Sequence, residues 1–301
     1  MFTSSFFKTT LTASLLAVGG FAQAGVHLNL TNRVVETTGG ANVAITAGGS
    51  GVINGATYTR TDQRPTGTGY IDPFVRVGMQ GSAGKDVVQA YNTTVNDVFN
   101  NSNEDNWNHA VKFGEVQLQT VGGVSVMRFL LDINQNRGGT GELLNLDEVQ
   151  LFISTSADQS VTSFDSNGKL GLGSSQLVYR MDGTSADADT KVTLDYSLNS
   201  GSGSGDMYLD VPVSMFDIAF RAGGYNSGAE KNGAFIYLYS KFGSNPYSNN
   251  DGFEEWAFLK NARPVEGGDG GFSGRAPEPG SLALVAIALL GAGAVRRRLR
   301  A

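Results

Sequence analysis

A chain of 301 residues with 41 glycines, 7 prolines and 40% hydrophobic residues can bury a substantial core, which excludes global disorder. It has no cysteine, so disulfides, thiolate nucleophiles and cysteine-held metals are excluded. A formal charge of −6 argues against nucleic acid and anionic lipid as partners.

Residues 1–24 have the three parts of a secretory signal in order. Lys8 supplies positive charge, Leu11 to Phe21 an apolar stretch too short to span a bilayer, and Ala22-Gln23-Ala24 an A-x-A cleavage site. A mature chain beginning near Gly25 and exported from the cytoplasm is expected. Removing Lys8 and the four arginines of the C-terminal cluster leaves 17 basic against 28 acidic residues, a body near −11. Such a field suits cations or simple solubility.

The body, residues 25–264, is read as one all-β domain, a β-sandwich of jelly-roll type, because short apolar-alternating runs recur between glycine-rich turns. The stretch DVVQAYNTTVNDVF resists that pattern: Val87, Tyr91, Val95 and Val98 follow helical spacing, yet Asn92-Thr93-Thr94 is poor helix material. A short helix or an irregular loop fits it equally. Met127, Phe129, Leu131 and Ile133 make one strand stripe, and Val149, Leu151 and Ile153 another. Leu177, Tyr179 and Met181 make a third, and Phe235, Tyr237 and Tyr239 a fourth. In KVTLDYSLN, Val192, Leu194, Tyr196 and Leu198 alternate, and after SGSGSG so do Met207, Leu209, Val211 and Val213. A hairpin is expected there, with Pro212 marking an edge strand.

Between two of these stripes, Asp132, Asn134 and Asn136 open like a D-x-N-x-N calcium loop, whose alternate oxygens converge on one hard cation. Arg137 stands where an EF-hand has glycine, and Leu143 where it has glutamate. Asp147, or else Glu142 or Glu148, is the candidate for the missing carboxylate in a different loop. Structural calcium at Asp132, Asn134, Asn136 and Asp147, and a plain polar turn with no cofactor, are both open readings.

Catalytic signals are weak. Asp251, Glu254 and Glu255 beside Trp256 invite a paired-carboxylate glycosidase reading, but acids next to an aromatic more often flank a core anchor. His27 and His109 sit in no metal or nucleophile motif. Trp107 or Trp256 offers a stacking surface for a sugar or a plug for a sheet. The expected role of the body is structural or adhesive and non-enzymatic, with carbohydrate binding as the alternative.

Residues 265–275 are a glycine-rich linker. After it, Pro277-Glu278-Pro279 enforces extended backbone, Ser281 to Val295 is uncharged and apolar, and Arg296, Arg297, Arg298 and Arg300 close the chain. Fifteen residues make a helix of roughly 22 Å at 1.5 Å per residue, short of the ~30 Å hydrocarbon core unless the arginines snorkel. A weak single transmembrane helix held by a positive-inside stop is the bland expectation. An extended stretch just outside it makes a handle for a processing enzyme.

Residues 276–301, with this order of motif, apolar run and arginine cluster, resemble the PEP-CTERM sorting signal. That resemblance implies recognition of Pro277, Glu278 and Pro279 by exosortase, a membrane-embedded transpeptidase of Gram-negative bacteria. It further implies cleavage near the motif and transfer of the body from a transient inner-membrane anchor to the cell surface or an exopolysaccharide matrix, with polysaccharide as a candidate partner. The stretches Leu131 to Ile153, LDYSLNSGSGSGDMYLDVP and YLYSKFGSNPYSNNDGFEEWAF are similar to an extracellular domain of other PEP-CTERM proteins. This supports a surface protein and adds no activity.

Overall fold

A computed structural model describes residues 25–33, 35, 42–44, 49–61, 71–78, 87–101, 107–183, 189–201 and 203–259. In chain order these form β1 (His27–Asn29), β2 (Asn42–Ala44), β3 (Ser50–Ile53), β4 (Ala56–Arg60), β5 (Ile71–Gly78), β6 (Val88–Tyr91), β7 (Val111–Lys112) and β8 (Gln119–Val121). There follow β9 (Val124–Asp132), β10 (Leu143–Ser154), β11 (Ser175–Arg180), β12 (Lys191–Asp195), β13 (Met207–Pro212), α1 (Val213–Ala222), α2 (Gly228–Gly233), β14 (Phe235–Phe242) and β15 (Phe253–Leu259). The described chain is therefore mostly β, as its alternating pattern predicts.

Two sheets account for these strands. The first runs β2-β1-β12-β10-β14-β6, with β11 also on β10 and β7 on β14. The second runs β3-β4-β13-β9-β15-β5, with β8 on β9. They share one core: Leu144, Leu146, Val149, Leu151 and Ile153 of β10 enter it from one side, and Met127, Phe129 and Leu131 of β9 with Met207, Leu209 and Trp256 from the other. The polar ends of buried aromatics are satisfied between the layers. Trp256 Nε1 donates to Ser240 Oγ at 3.0 Å, and the hydroxyls of Tyr58 and Tyr179 meet at 2.9 Å.

The expected stripes on β9 and β10 lie in this core. Phe235, Tyr237 and Tyr239 also share a face, but it is the far face of the first sheet, where they join Tyr91, Phe152, Leu170 and Leu172 in a second cluster. Both faces of the central strands β10 and β14 are thus covered. Tyr179 on β11 and Met181 just beyond it are buried while Leu177 is exposed, because the pairing with β10 shifts register at Leu151/Phe152. Such a slip turns the following side chains to the other face.

The hairpin expected over residues 191–213 is not formed. Strand β12 pairs with β1 and β10 in the first sheet, while β13 pairs with β4 and β9 in the second, so the Ser-Gly stretch joins the two layers. The strand stops early because the Asp195 side chain accepts the Ser197 N–H at 3.0 Å and turns Tyr196–Leu198 into a 3-10 helix. Pro212 marks no edge: it is the last residue of a central strand and the cap of α1, where its missing N–H costs nothing. Helix α1, absent from the expected elements, buries Phe216, Ala219 and Phe220 at helical spacing.

The ambiguous stretch after residue 87 becomes β6 followed by irregular chain. Asn92 explains the change: its carboxamide donates to Ile236 O at 2.8 Å and accepts from Leu238 N at 2.7 Å, a side-chain substitute for the ladder where β6 leaves β14. Among the described residues no helix is long and apolar enough to cross a membrane. The expected signal (1–24), linker (265–275) and sorting tail (276–301) lie outside the described residues.

Candidate functional site

Three neighbouring strands of the second sheet bring charge together. Asp132 on β9 pairs in register with Glu255 on β15, and Glu255 with Arg76 on β5. Their neighbours Leu131, Trp256, Val75 and Val77 belong to the inter-sheet core. Side chains alternate along a strand, so Asp132, Glu255 and Arg76 form a row on the outer face. The Arg76 Nε lies 2.8 Å from Glu255 Oε1, and its guanidinium carbon is 3.9 Å from the Trp107 ring centroid and 4.7 Å from that of Phe253. An ion pair and two π faces fix one planar group.

Beside this row opens a cleft of about 140 Å³, lined by Arg76, Asp132, Asn134, Gly201, Phe253 and Glu255. Its walls come from three strands and the chain on either side of them. Gly252, at φ +62°, lets Asn134 close against β15, since a Cβ there would stand 2.1 Å from Asn134 Nδ2. The Asp132 carboxylate accepts the Gly203 N–H at 2.7 Å. Burial, helped by the nearby Glu255, nevertheless pushes its pKa up to about 7.

Two further acids are buried next to it. Asp206 accepts the Ile133 N–H at 2.9 Å, and burial followed by the charges of Asp132, Glu254 and Asp195 holds it far above the usual carboxylate range. Glu254 accepts from Asn134 N at 2.8 Å, from Gln135 Nε2 at 3.1 Å and from Asn249 Nδ2. Three donors favour its ionised form, but burial and Asp132 outweigh them and raise its pKa. Ser204 Oγ is buried nearby in sequence without a hydrogen-bond partner.

The residues singled out from the sequence scatter in part. Asp132 and Asn134 line the cleft, whereas Asn136 turns its N–H to Asn250 Oδ1 at 2.8 Å and its carboxamide to Asn250 O at 3.1 Å. Asp147 lies on β10 in the other sheet, accepting Ser244 N at 2.8 Å and the Ser244 hydroxyl, with burial raising its pKa to about 6. Glu142 pairs with Arg33, and Glu148 with Arg180 at 3.0 Å. Among the described residues no three His, Asp or Glu side chains are grouped to hold a metal ion.

Glu254 and Glu255 are consecutive on β15 and so lie on opposite faces, and Asp251 is exposed. The acids flanking Trp256 are therefore not one pair; the carboxylate beside Glu255 is Asp132. Trp256 is fully buried and offers no stacking surface, while Trp107 backs Arg76. His27 meets Thr193 Oγ1 at 2.7 Å, and His109 Nδ1 is buried without a partner. Arg76, Phe253 and Asp206 escaped sequence reasoning because only cross-strand register brings them to this place. Compared with protein-family models, with curated proteins and with solved structures, the chain matches none.

Proposed function

We propose that this chain is an exported cell-surface or matrix protein whose C-terminal tail is recognised and removed by an exosortase-type transpeptidase. The body, a jelly-roll-like sandwich, has a structural or adhesive role and no catalytic one. Residues 1–24 act as a signal helix, and Ser281 to Val295 as a transient transmembrane helix.

One observation carries this reading: Pro277-Glu278-Pro279, an uncharged apolar run and the arginines at 296, 297, 298 and 300 occur in the order a removable anchor requires. The proline pair holds the chain extended where a peptidase cleft must grip it, and the arginines keep the far end on the cytoplasmic side. The mostly β, acidic body with glycine-rich turns suits a protein held outside the cell in hydrated polymer.

Replacing Pro277, Glu278 and Pro279 together by alanine is expected to leave a membrane-bound chain that keeps its tail, whereas the unaltered protein loses its tail and leaves the membrane. Intact mass of the protein recovered from its native host reports both ends at once. Equal mass and equal location for the two forms would remove the motif from the sorting step.

A further inference from the structure

We propose that the cleft on the outer face of the second sheet binds one non-acidic pyranose ring of a polysaccharide. The inference is independent of sorting, because it rests on the body alone.

A sugar ring presents an apolar C–H face and a rim of hydroxyls that both donate and accept. The cleft offers a counterpart to each part. Phe253, over whose ring the Arg76 guanidinium lies at 4.7 Å, and Ile133 supply the apolar lining for the C–H face. Asp132 and Glu255 supply carboxylate acceptors on adjacent strands, and Asn134 contributes a carboxamide, which both donates and accepts. Arg76 places a planar array of N–H donors at the same wall.

The positions of these groups are already set. Glu255, Trp107 and Phe253 hold Arg76, and the carriers Asp132, Glu255 and Arg76 sit on paired strands rather than on a loop. Little rotamer freedom remains to be lost on binding. Trp107 is here a positioning residue, since it acts through the guanidinium.

Size and charge narrow the ligand. The cleft, about 140 Å³, lies below the ~300–1,000 Å³ of pockets that enclose a drug-sized ligand, so it suits one ring and not an enclosed oligosaccharide. The rest of a polymer would lie across the mouth. The one guanidinium in the lining is paired with Glu255, and Asp132 stands on the next strand, so the cleft presents no uncompensated cation to an anionic group. A uronic acid or sulfated sugar is disfavoured at such a wall, while a neutral or amino sugar is accepted.

The test is calorimetric titration of the full chain in mild detergent with neutral, amino-sugar and uronate polysaccharides, with calcium and with chelator. Binding of the neutral or amino-sugar polymer is expected, weakened at least tenfold by Phe253→Ala. Arg76→Lys, which keeps the charge and loses the planar fork, is expected to weaken it by a similar factor. A melting curve on each variant separates lost binding from lost folding. No saccharide binding, binding of uronates as tight as of neutral polymers, cation uptake without any saccharide, or affinities unmoved by both variants when folded would each overturn the proposal. Since purified protein is used, none of these outcomes bears on whether the tail is processed.

Discussion

Two arginines on the outer face of the second sheet share one recipe and end differently. Arg128 on β9 opposes Asp210 on β13, bonds both its oxygens at 2.6 and 2.7 Å, and lies 4.4 Å from the Tyr208 ring. Arg76 on β5 opposes Glu255 on β15 and lies against Trp107 and Phe253. At the first site one guanidinium matches one carboxylate in a closed fork, and both side chains are buried. At the second, Asp132 adds another carboxylate to the row and a cleft opens beside it. A charge pair closed by geometry holds strands together; the same pair with a surplus acid and an opening makes a surface that can meet a ligand.

The largest expected effect tests the closed pair. Arg128→Ala leaves Asp210 buried without compensation, which costs about 3–5 kcal/mol of unfolding free energy, read by denaturant titration. Arg76→Ala is expected to cost less, roughly 1–2 kcal/mol, because the adjoining cleft lets water reach Glu255. Equal losses for the two variants would mean that the Arg76 pair is as closed as its neighbour, and the distinction between the sites would fall.

How much of this is legible in the chain depends on the distance over which each signal acts. Alternation along β9 and β10 is local, so Met127, Phe129, Val149 and Leu151 identify their own core face. Whether two consecutive strands pair is not local. Residues 192–198 and 207–213 carry the pattern of a hairpin, yet they end in different sheets, since nothing in SGSGSG states which edge each strand will meet. The cleft is harder still. Asp132 stood out through its spacing to Asn134 and Asn136, but its neighbours Glu255 and Arg76 arrive from 123 residues later and 56 earlier, through two registers. Asp147, only fifteen positions away, belongs to another sheet and is held by Ser244. Sequence proximity keeps Asn134 beside Asp132 at the cleft, but it does not foretell Glu255 or Arg76.

The finest distinction between the sites is set by protons. Burial and Glu255 raise Asp132 to about 7, against roughly 3.9 for a free aspartate, so the folded chain holds this proton more tightly than the unfolded one. Its contribution to stability is then full below about pH 4 and is lost as pH rises through 7, with a slope of up to ~1.4 kcal/mol per pH unit. Asp132→Asn, which cannot ionise, is expected to flatten that part of the dependence. Asp206 and Glu254, also raised by burial, keep a remainder. Unfolding free energies measured from pH 4 to 8 on both forms read the difference directly. If the slope persists unchanged in the variant, Asp132 is ionised throughout and its charge is compensated within the folded chain. The surplus acid that separates the cleft from the closed Arg128 pair would then be no surplus at all.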